Sequence, residues 1–265
     1  MQTYEIPRHM LAVDFDKVDS LGEYYIQPKL RGIRAWLHKG RIFTRMRREL
    51  DIFKCRFSIH SAWLDGELYV HGWSQERLNS ACLRDEPNED TALVEFHCFD
   101  IFMAELPAER FKYASEIIDR LKAASPQPMI LVQTQKLDIK CCELYYHTCC
   151  YSNYEGAIYR DPSMPYVQGR TKALLKRKPW LYGCGKVLAA IEGKGKCKGI
   201  LGHFRIKWEN KIFSIGGGNM SYEQRAEYLK LAPDYIYFRY RELSTYGTPI
   251  APQYVNPVKW SYQGV

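Results

Sequence analysis

The segment EYYIQPKLRGIRAWLHKGRIFTRMR, residues 23–47, holds three short runs rich in aromatic and branched side chains, divided by Gly32 and Gly40. EYYIQPKL, GIRAWLHKG and RIFTRMR each predict a strand of an antiparallel arrangement. Working outward, AWLDGELYVHG (62–72) is a further strand, and SQERLNSACLRD (74–85) turns helical, with Leu78, Ala81 and Cys82 on one side. TALVEFHCFDIF (91–102) returns to strand. Pro107 opens PAERFKYASEIIDRLKAA, a helix whose Phe111, Ala114, Ile117, Ile118 and Leu121 recur at helical spacing. ILVQTQ (130–135), YEGAIYR (154–160) and TKALLKRK (171–178) continue as strands, so residues 1–180 form an α+β domain with an antiparallel core.

After Trp180 the texture changes. VLAAIEGKGKCKGILGHFRIKWENKIFSIGGG (187–218) alternates short strands with glycine and lysine clusters, one helix follows over 221–231, and YIYFRYREL (235–243) is strand again. Several strands around one helix predict a small five-stranded barrel of the oligonucleotide-binding (OB) type over 181–265, with the boundary between Pro179 and Tyr182.

The chain has 265 residues, a size that favours two domains, and a formal charge of +8. Residues 1–180 carry 26 basic and 24 acidic side chains, whereas 181–265 carry 12 and 6, so the excess sits in the last third and points to a polyanion as partner. Apolar runs such as Ile130–Val132 and Val187–Ile191 fall far short of a membrane span, and the N-terminal acids argue against a secretory signal. No membrane partner is expected. Nine cysteines, with Cys141–Cys142 and Cys149–Cys150 as adjacent pairs, suit a reducing cytoplasm better than disulfides. Cys141, Cys142, His147, Cys149 and Cys150 lack the paired C-x-x-C knuckles of a zinc site and read as part of a helix.

Five clusters bear chemistry. In PKLRGIR, Lys29 beside a glycine turn is a candidate nucleophile, with Arg34 nearby, although a solvated lysine is the simpler reading of that motif alone. In LDGELYVHG, strand alternation puts Asp65 and Glu67 on one face. FHCFDIF holds Phe99 next to Asp100, EGAIYR runs from Glu155 to Arg160, and LLKRK sends Lys176 and Lys178 to one side.

In this order, KxxGxR, DGE, FD, EGxxxR and KxK resemble the nucleotidyltransferase motifs of the ATP-dependent DNA ligase family, whose superfamily also includes RNA ligases and mRNA capping enzymes. The stretch ELYVHGWSQERLNSACLR and the later GKGKCKGILG and FSIGGGNMSYEQR are similar to short viral and phage-type members, so the resemblance runs from roughly Tyr24 to Lys259. It implies an ATP-grasp-like adenylyltransferase domain with antiparallel sheets, followed by the OB-fold barrel. The implied activity is sealing of nicks in duplex DNA, by a monomer, with ATP and Mg2+ (or Mn2+). Lysine attacks the α-phosphorus of ATP, AMP passes to the 5′-phosphate of the nick, and the 3′-hydroxyl displaces AMP.

By this resemblance Lys29 becomes lysyl-AMP. Lys176 and Lys178 lie near the phosphate, stabilise its charge and, as like charges, favour the free amine of Lys29. Glu67 and Glu155 ligate magnesium or hold the ribose, Phe99 stacks on adenine, Arg34 contacts the sugar, and Arg45 in FTR grips the nick phosphate. Lys194, Lys196 and Lys198 recur at period two in GKGKCKG, so a strand or loop would aim three ammonium groups one way, along a phosphate track.

Two positions depart from the pattern. The family's K-x-D-G has Arg31 in place of the acid, and an arginine neither ligates magnesium nor accepts a proton. Lysine adenylation is therefore expected to survive this change better than final sealing. In GTPIAPQYVNPVKW, Lys259 is the one basic residue offered for the family's last motif. An RNA ligase, a GTP-using capping enzyme and a nick-binding protein without catalysis remain open as alternatives.

Overall fold

The computed structural model describes residues 5–15, 22–53, 56–57, 60–218, 220–244 and 246–255. Lys259 lies outside them. The chain forms two compact units, Met1–Lys178 and Pro179–Val265.

The first unit contains β1 (Met10–Asp14), β2 (Glu23–Lys29), β3 (Ile33–His38), β4 (Arg41–Thr44), β5 (Leu64–Tyr69), α1 (Gln75–Cys82), β6 (Glu95–Ile101) and α2 (Pro107–Leu121). It continues with β7 (Met129–Leu131), β8 (Gln135–Asp138), α3 (Ile139–Tyr151), β9 (Gly156–Arg160) and β10 (Gly169–Arg177). Local chemistry sets the helix starts. Ser74 Oγ accepts the Arg77 N–H ahead of α1, Asp138 accepts the Lys140 and Cys141 N–H groups ahead of α3, and Pro107 needs no donor at the first turn of α2.

The strands form two five-stranded sheets, ordered β1-β10-β9-β2-β8 and β4-β3-β5-β6-β7. The three opening runs therefore divide: β3 and β4 make a hairpin in one sheet, while β2 pairs antiparallel with β8 and β9 in the other. Gly32 is the crossing point. A Cβ there would stand 2.4 Å from the Leu68 carbonyl oxygen, so only glycine lets the chain pass that close. ILVQTQ divides similarly between β7 and β8. In TALVEFHCFDIF the first three residues form a 3-10 turn capped by Asn88, and the strand begins at Glu95. Neither sheet is purely antiparallel. β1 runs parallel to β10, and β6 runs parallel to β7 because α2 supplies the crossover that a parallel pair requires.

α2 covers one sheet through Ala114, Ile117 and Ile118, packed with Leu37, Leu68 and Phe96. α3 covers the other through Cys142, Tyr146 and Cys149. Between the sheets, Met10 and Leu174 meet Trp36, Phe43 and Tyr166.

The second unit is a five-stranded sheet of OB type, ordered β13-β12-β11-β14-β15, with β11 (Leu181–Glu192), β12 (Leu201–Trp208), β13 (Lys211–Gly216), α4 (Tyr222–Lys230), β14 (Tyr235–Tyr240) and β15 (Gln253–Val255). The long central β11 pairs with both β12 and β14, and register shifts after Val187 and Ile191 let it bend. α4 is tied to the sheet by Arg225 Nε, which donates to the Leu201 carbonyl at 2.7 Å. Among the described residues, no helix is long and apolar enough to cross a membrane.

Candidate active site

A cavity of about 620 Å³ lies in the first unit, lined by residues of both sheets. Lys29 stands at the end of β2, where the chain leaves one sheet for the other. Period two along β2 puts Gln27 on the same face as Lys29, and both line the cavity. Opposite them are Arg34 from β3, Glu67 from β5 and Phe99 from β6, and β10 and its continuation add Lys176 and Lys178. The β4 turn adds Thr44, Arg45 and Arg48, while Arg160 and Arg170 complete a set of eight cationic side chains against one lining carboxylate, Glu67. Such a set of charges is complementary to a polyanion.

Beneath Lys29 sits Glu155. Its backbone N–H donates to the Lys29 carbonyl at 3.0 Å, and its carboxylate accepts from Lys29 Nζ and pairs with Lys178 Nζ. Burial alone would raise the Glu155 pKa, yet the two ammonium groups carry it below its ordinary value. The repulsion expected between Lys29 and Lys178 is therefore met by a carboxylate standing between them. Lys176 faces Asp14 at 3.5 Å. Gly156, at φ +144°, is required here, since a Cβ would lie 1.9 Å from the Arg177 carbonyl oxygen.

Glu67 accepts the Gly32 N–H at 2.8 Å, and burial raises its pKa against the pull of Lys29. Arg34 lies 4.9 Å from the Phe99 ring centroid. Two of its nitrogens, Nε and Nη2, donate to Asp65 at 3.1 and 2.7 Å. Asp65 is fully buried and also accepts from His9 Nδ1 and from the Tyr166 hydroxyl, at 2.9 and 2.5 Å. Burial would raise the Asp65 pKa, but Arg34 and His9 hold it well below the usual carboxylate range. Its strand neighbour Asp100, equally buried, is paired with Arg110 and with the cavity residue Arg160.

Eight of the residues singled out in the sequence thus come together: Lys29, Arg34, Arg45, Glu67, Phe99, Glu155, Lys176 and Lys178. Lys194, Lys196 and Lys198 lie in the second unit. Of the strand and loop left open for this stretch, the backbone takes a turn. Gly195 and Gly199 have positive φ, and Gly195–Cys197 forms a 3-10 turn. Lys196 lies within the turn, and Lys194 and Lys198 flank it in extended conformation. Arg31, the departure from the motif, is exposed and does not line the cavity.

Gln27, Arg48, Arg160, Arg170 and two partners of Asp65, His9 and Tyr166, were not among the expected site residues. Alternation from Lys29 identifies Gln27. His9 and Tyr166 carry no local signal, because they reach Asp65 across 56 and 101 positions.

Among the described residues no three His, Cys, Asp or Glu side chains cluster as a metal site, the cysteines of α3 included. Glu67 and Glu155 are nevertheless a fitting pair for Mg2+, which takes one or two carboxylates and completes its shell with water and substrate phosphates.

The DNA ligase OB-like domain model matches residues 192–256. Comparison with curated protein sequences finds no match. Among solved structures, the chain is similar to a Lig E DNA ligase described as binding DNA with a minimal scaffold, at 25% identity and a TM-score of 0.71, covering 95% of this chain and 99% of that one. It is similar in fold to the Chlorella virus DNA ligase-adenylate (18% identity, TM-score 0.56, 95% and 98% covered). A third similar fold is the ATP-dependent DNA ligase of bacteriophage T7 in complex with ATP (15% identity, TM-score 0.59, 94% and 98% covered). The resemblance to ATP-dependent DNA ligases stated from the motifs is borne out, as is the α+β fold with a C-terminal OB domain.

Proposed function

We propose that this chain is an ATP-dependent DNA ligase that seals nicks in duplex DNA through a lysyl-AMP formed on Lys29. The observation that carries the reading is a lysine, held by a partly buried carboxylate, at the edge of a cavity with eight cations. Once its ammonium has given up a proton, Lys29 Nζ attacks the α-phosphorus of ATP with its lone pair, an N–P bond forms, the bond to the β-phosphate oxygen breaks, pyrophosphate leaves, and the nitrogen gives up a second proton. Glu155, hydrogen-bonded to Lys29 Nζ, is placed to receive that proton and orients the amine. Lys176 and Lys178 neutralise charge developing on the phosphate. Glu67 and Glu155 would hold a divalent ion, which when bound neutralises and orients phosphate oxygens. Arg45 and Arg48, beside Thr44, suit the 5′-phosphate of the nick. The second unit, with its basic excess and its match to a ligase OB-like domain, is the duplex-binding module.

Gln27 favours ATP over GTP. Its amide nitrogen donates to the Phe99 carbonyl at 2.9 Å and to Thr134 Oγ1 at 2.7 Å, while Thr134 Oγ1 donates to the Val132 carbonyl at 3.1 Å. Those bonds fix the amide orientation, and its oxygen remains as an acceptor for an exocyclic amine. Adenine carries an amine at C6, where guanine has a carbonyl. The test is incubation with α-labelled ATP or GTP followed by addition of nicked duplex. Labelling by ATP with closure of the nick is expected, whereas labelling by GTP alone would favour the capping reading.

Arg31 bears on the last step. With its side chain outside the cavity and no carboxylate at that position, closure of pre-adenylated nicked DNA is expected to be slower in the wild type than in Arg31→Asp. Equal closure rates would remove the idea.

A further inference from the structure

Asp65 is saturated. An ionised carboxylate offers about four acceptor sites, and here four donor groups from three distant parts of the chain fill them. His9 Nδ1 and Arg34 Nε share Oδ1, at 2.9 and 3.1 Å; Arg34 Nη2 and the Tyr166 hydroxyl share Oδ2, at 2.7 and 2.5 Å. Tyr166 has no freedom in how it does this. Its oxygen accepts the Met10 backbone N–H at 2.9 Å, so its single proton is directed at Asp65. Its ring is buried against Trp36 and Phe102, with centroids 6.0 and 5.4 Å away. Tyr166 therefore holds the same carboxylate oxygen that holds the outer nitrogen of Arg34, and Arg34 presents its remaining donors to the cavity from a plane set above Phe99.

We infer that Tyr166 is a positioning residue for nucleotide binding, acting through Asp65 on Arg34 without touching the nucleotide. The inference rests on the proposed function, because it concerns ATP in the cavity. With Tyr166 in place, Asp65 cannot rotate about its side-chain bonds without breaking bonds to three residues, and the guanidinium of Arg34 keeps one orientation. Removing the hydroxyl leaves Oδ2 with a single donor, and lets the Asp65–Arg34 pair tilt away from the pose that meets the sugar or phosphates. A contact of Arg34 that is made equally in the bound and reacting nucleotide changes the ATP concentration needed and leaves the maximal rate alone.

The experiment measures lysyl-AMP formation against ATP concentration by intact mass for wild type, Tyr166→Phe, Arg34→Lys and the double variant. Phenylalanine retains the ring packing, and a thermal melt of each protein reports folding. Tyr166→Phe is expected to raise the half-saturating ATP concentration about tenfold, the scale of one hydrogen bond to a charged group, with the maximal rate within about twofold. In the Arg34→Lys background the same change is expected to add less than about twofold, since both substitutions act on one contact. A Tyr166→Phe variant with lowered melting temperature and unchanged ATP dependence would show a structural role and overturn the inference. Full additivity of the two substitutions would overturn it as well. A wild type that forms no adenylate at all overturns the functional reading and this inference together, whereas a labelled wild type matched by Tyr166→Phe overturns the inference alone.

Discussion

The cavity of the first unit and the lysine turn of the second are both basic, but they are built differently. In the cavity, Arg34 and Arg160 are backed by buried Asp65 and Asp100, and Lys29 and Lys178 share the partly buried Glu155. Such side chains keep one orientation and can act on one atom of a ligand. Lys194, Lys196 and Lys198 are exposed on a turn closed by Glu192, which accepts the Gly199 N–H at 2.7 Å, and among the described residues they form no ion pair. They supply charge without direction. Built cations suit reaction chemistry, and loose ones suit a polyanion whose sequence is not read.

The strongest way to break this contrast is to remove a backing carboxylate. Asp65→Asn leaves the partly buried Arg34 without its counter-charge and is expected to cost about 3 kcal/mol of stability at neutral pH, the scale of broken buried pairs, measurable by urea unfolding. Because the folded pKa of Asp65 is depressed, its stabilisation is present above its ordinary value of 3.8 and is lost as pH falls from there toward the folded value. The gap between wild type and variant should therefore narrow below that pH. A gap that is absent at neutral pH would mean that the buried pair holds nothing in place.

Glu67 sharpens the contrast from the other side. Burial raises its pKa, so the native state binds the proton more tightly than the unfolded chain, and the wild type loses stability as pH rises through the interval above the ordinary value of 4.5. Glu67→Gln keeps an acceptor for the Gly32 N–H. It is expected to raise the melting temperature at neutral pH and to lower adenylation, the signature of a charge retained for chemistry at the expense of stability. A lowered melting temperature would place Glu67 among the stabilising ions instead.

Much of this was legible along the chain because the chemistry is carried by short motifs on strands. Period two places Lys176 with Lys178 and Asp65 with Glu67, and the glycines at 32 and 156 mark where backbone must pass closely. Helix starts were readable from Ser74, Pro107 and the helix-forming run after Asp138. Three features were not readable. The departure of β2 to a separate sheet depends on pairing with β8 and β9, more than 100 positions away. The parallel β1–β10 pair is equally non-local. The joining of His9, Arg34 and Tyr166 on one carboxylate has no signal in any of the three neighbourhoods. The lysine repeat left strand and loop open, and a turn with positive φ at Gly195 and Gly199 is what the chain forms there.

The smallest effect is expected where the contrast is weakest. Replacing Lys194, Lys196 and Lys198 together by alanine removes three charges, and with Lys196 inside the turn and the other two flanking it, about one is expected on any single phosphate track. The log–log salt slope for nicked-duplex binding should fall by about 0.9, the contribution of one phosphate contact, with adenylation unchanged. A fall three times as large would mean that all three reach phosphates together.

The central claim is that Lys29, among the lysines of the cavity, is the residue that takes the nucleotide. Its most direct test is to incubate the protein, freed of bound adenylate, with ATP and magnesium and to map the modified peptide by mass spectrometry. The account predicts a single adenylyl group on Lys29 and none in Lys29→Ala. Adenylate on Lys176 or Lys178, or a protein that never gains the group, would contradict it.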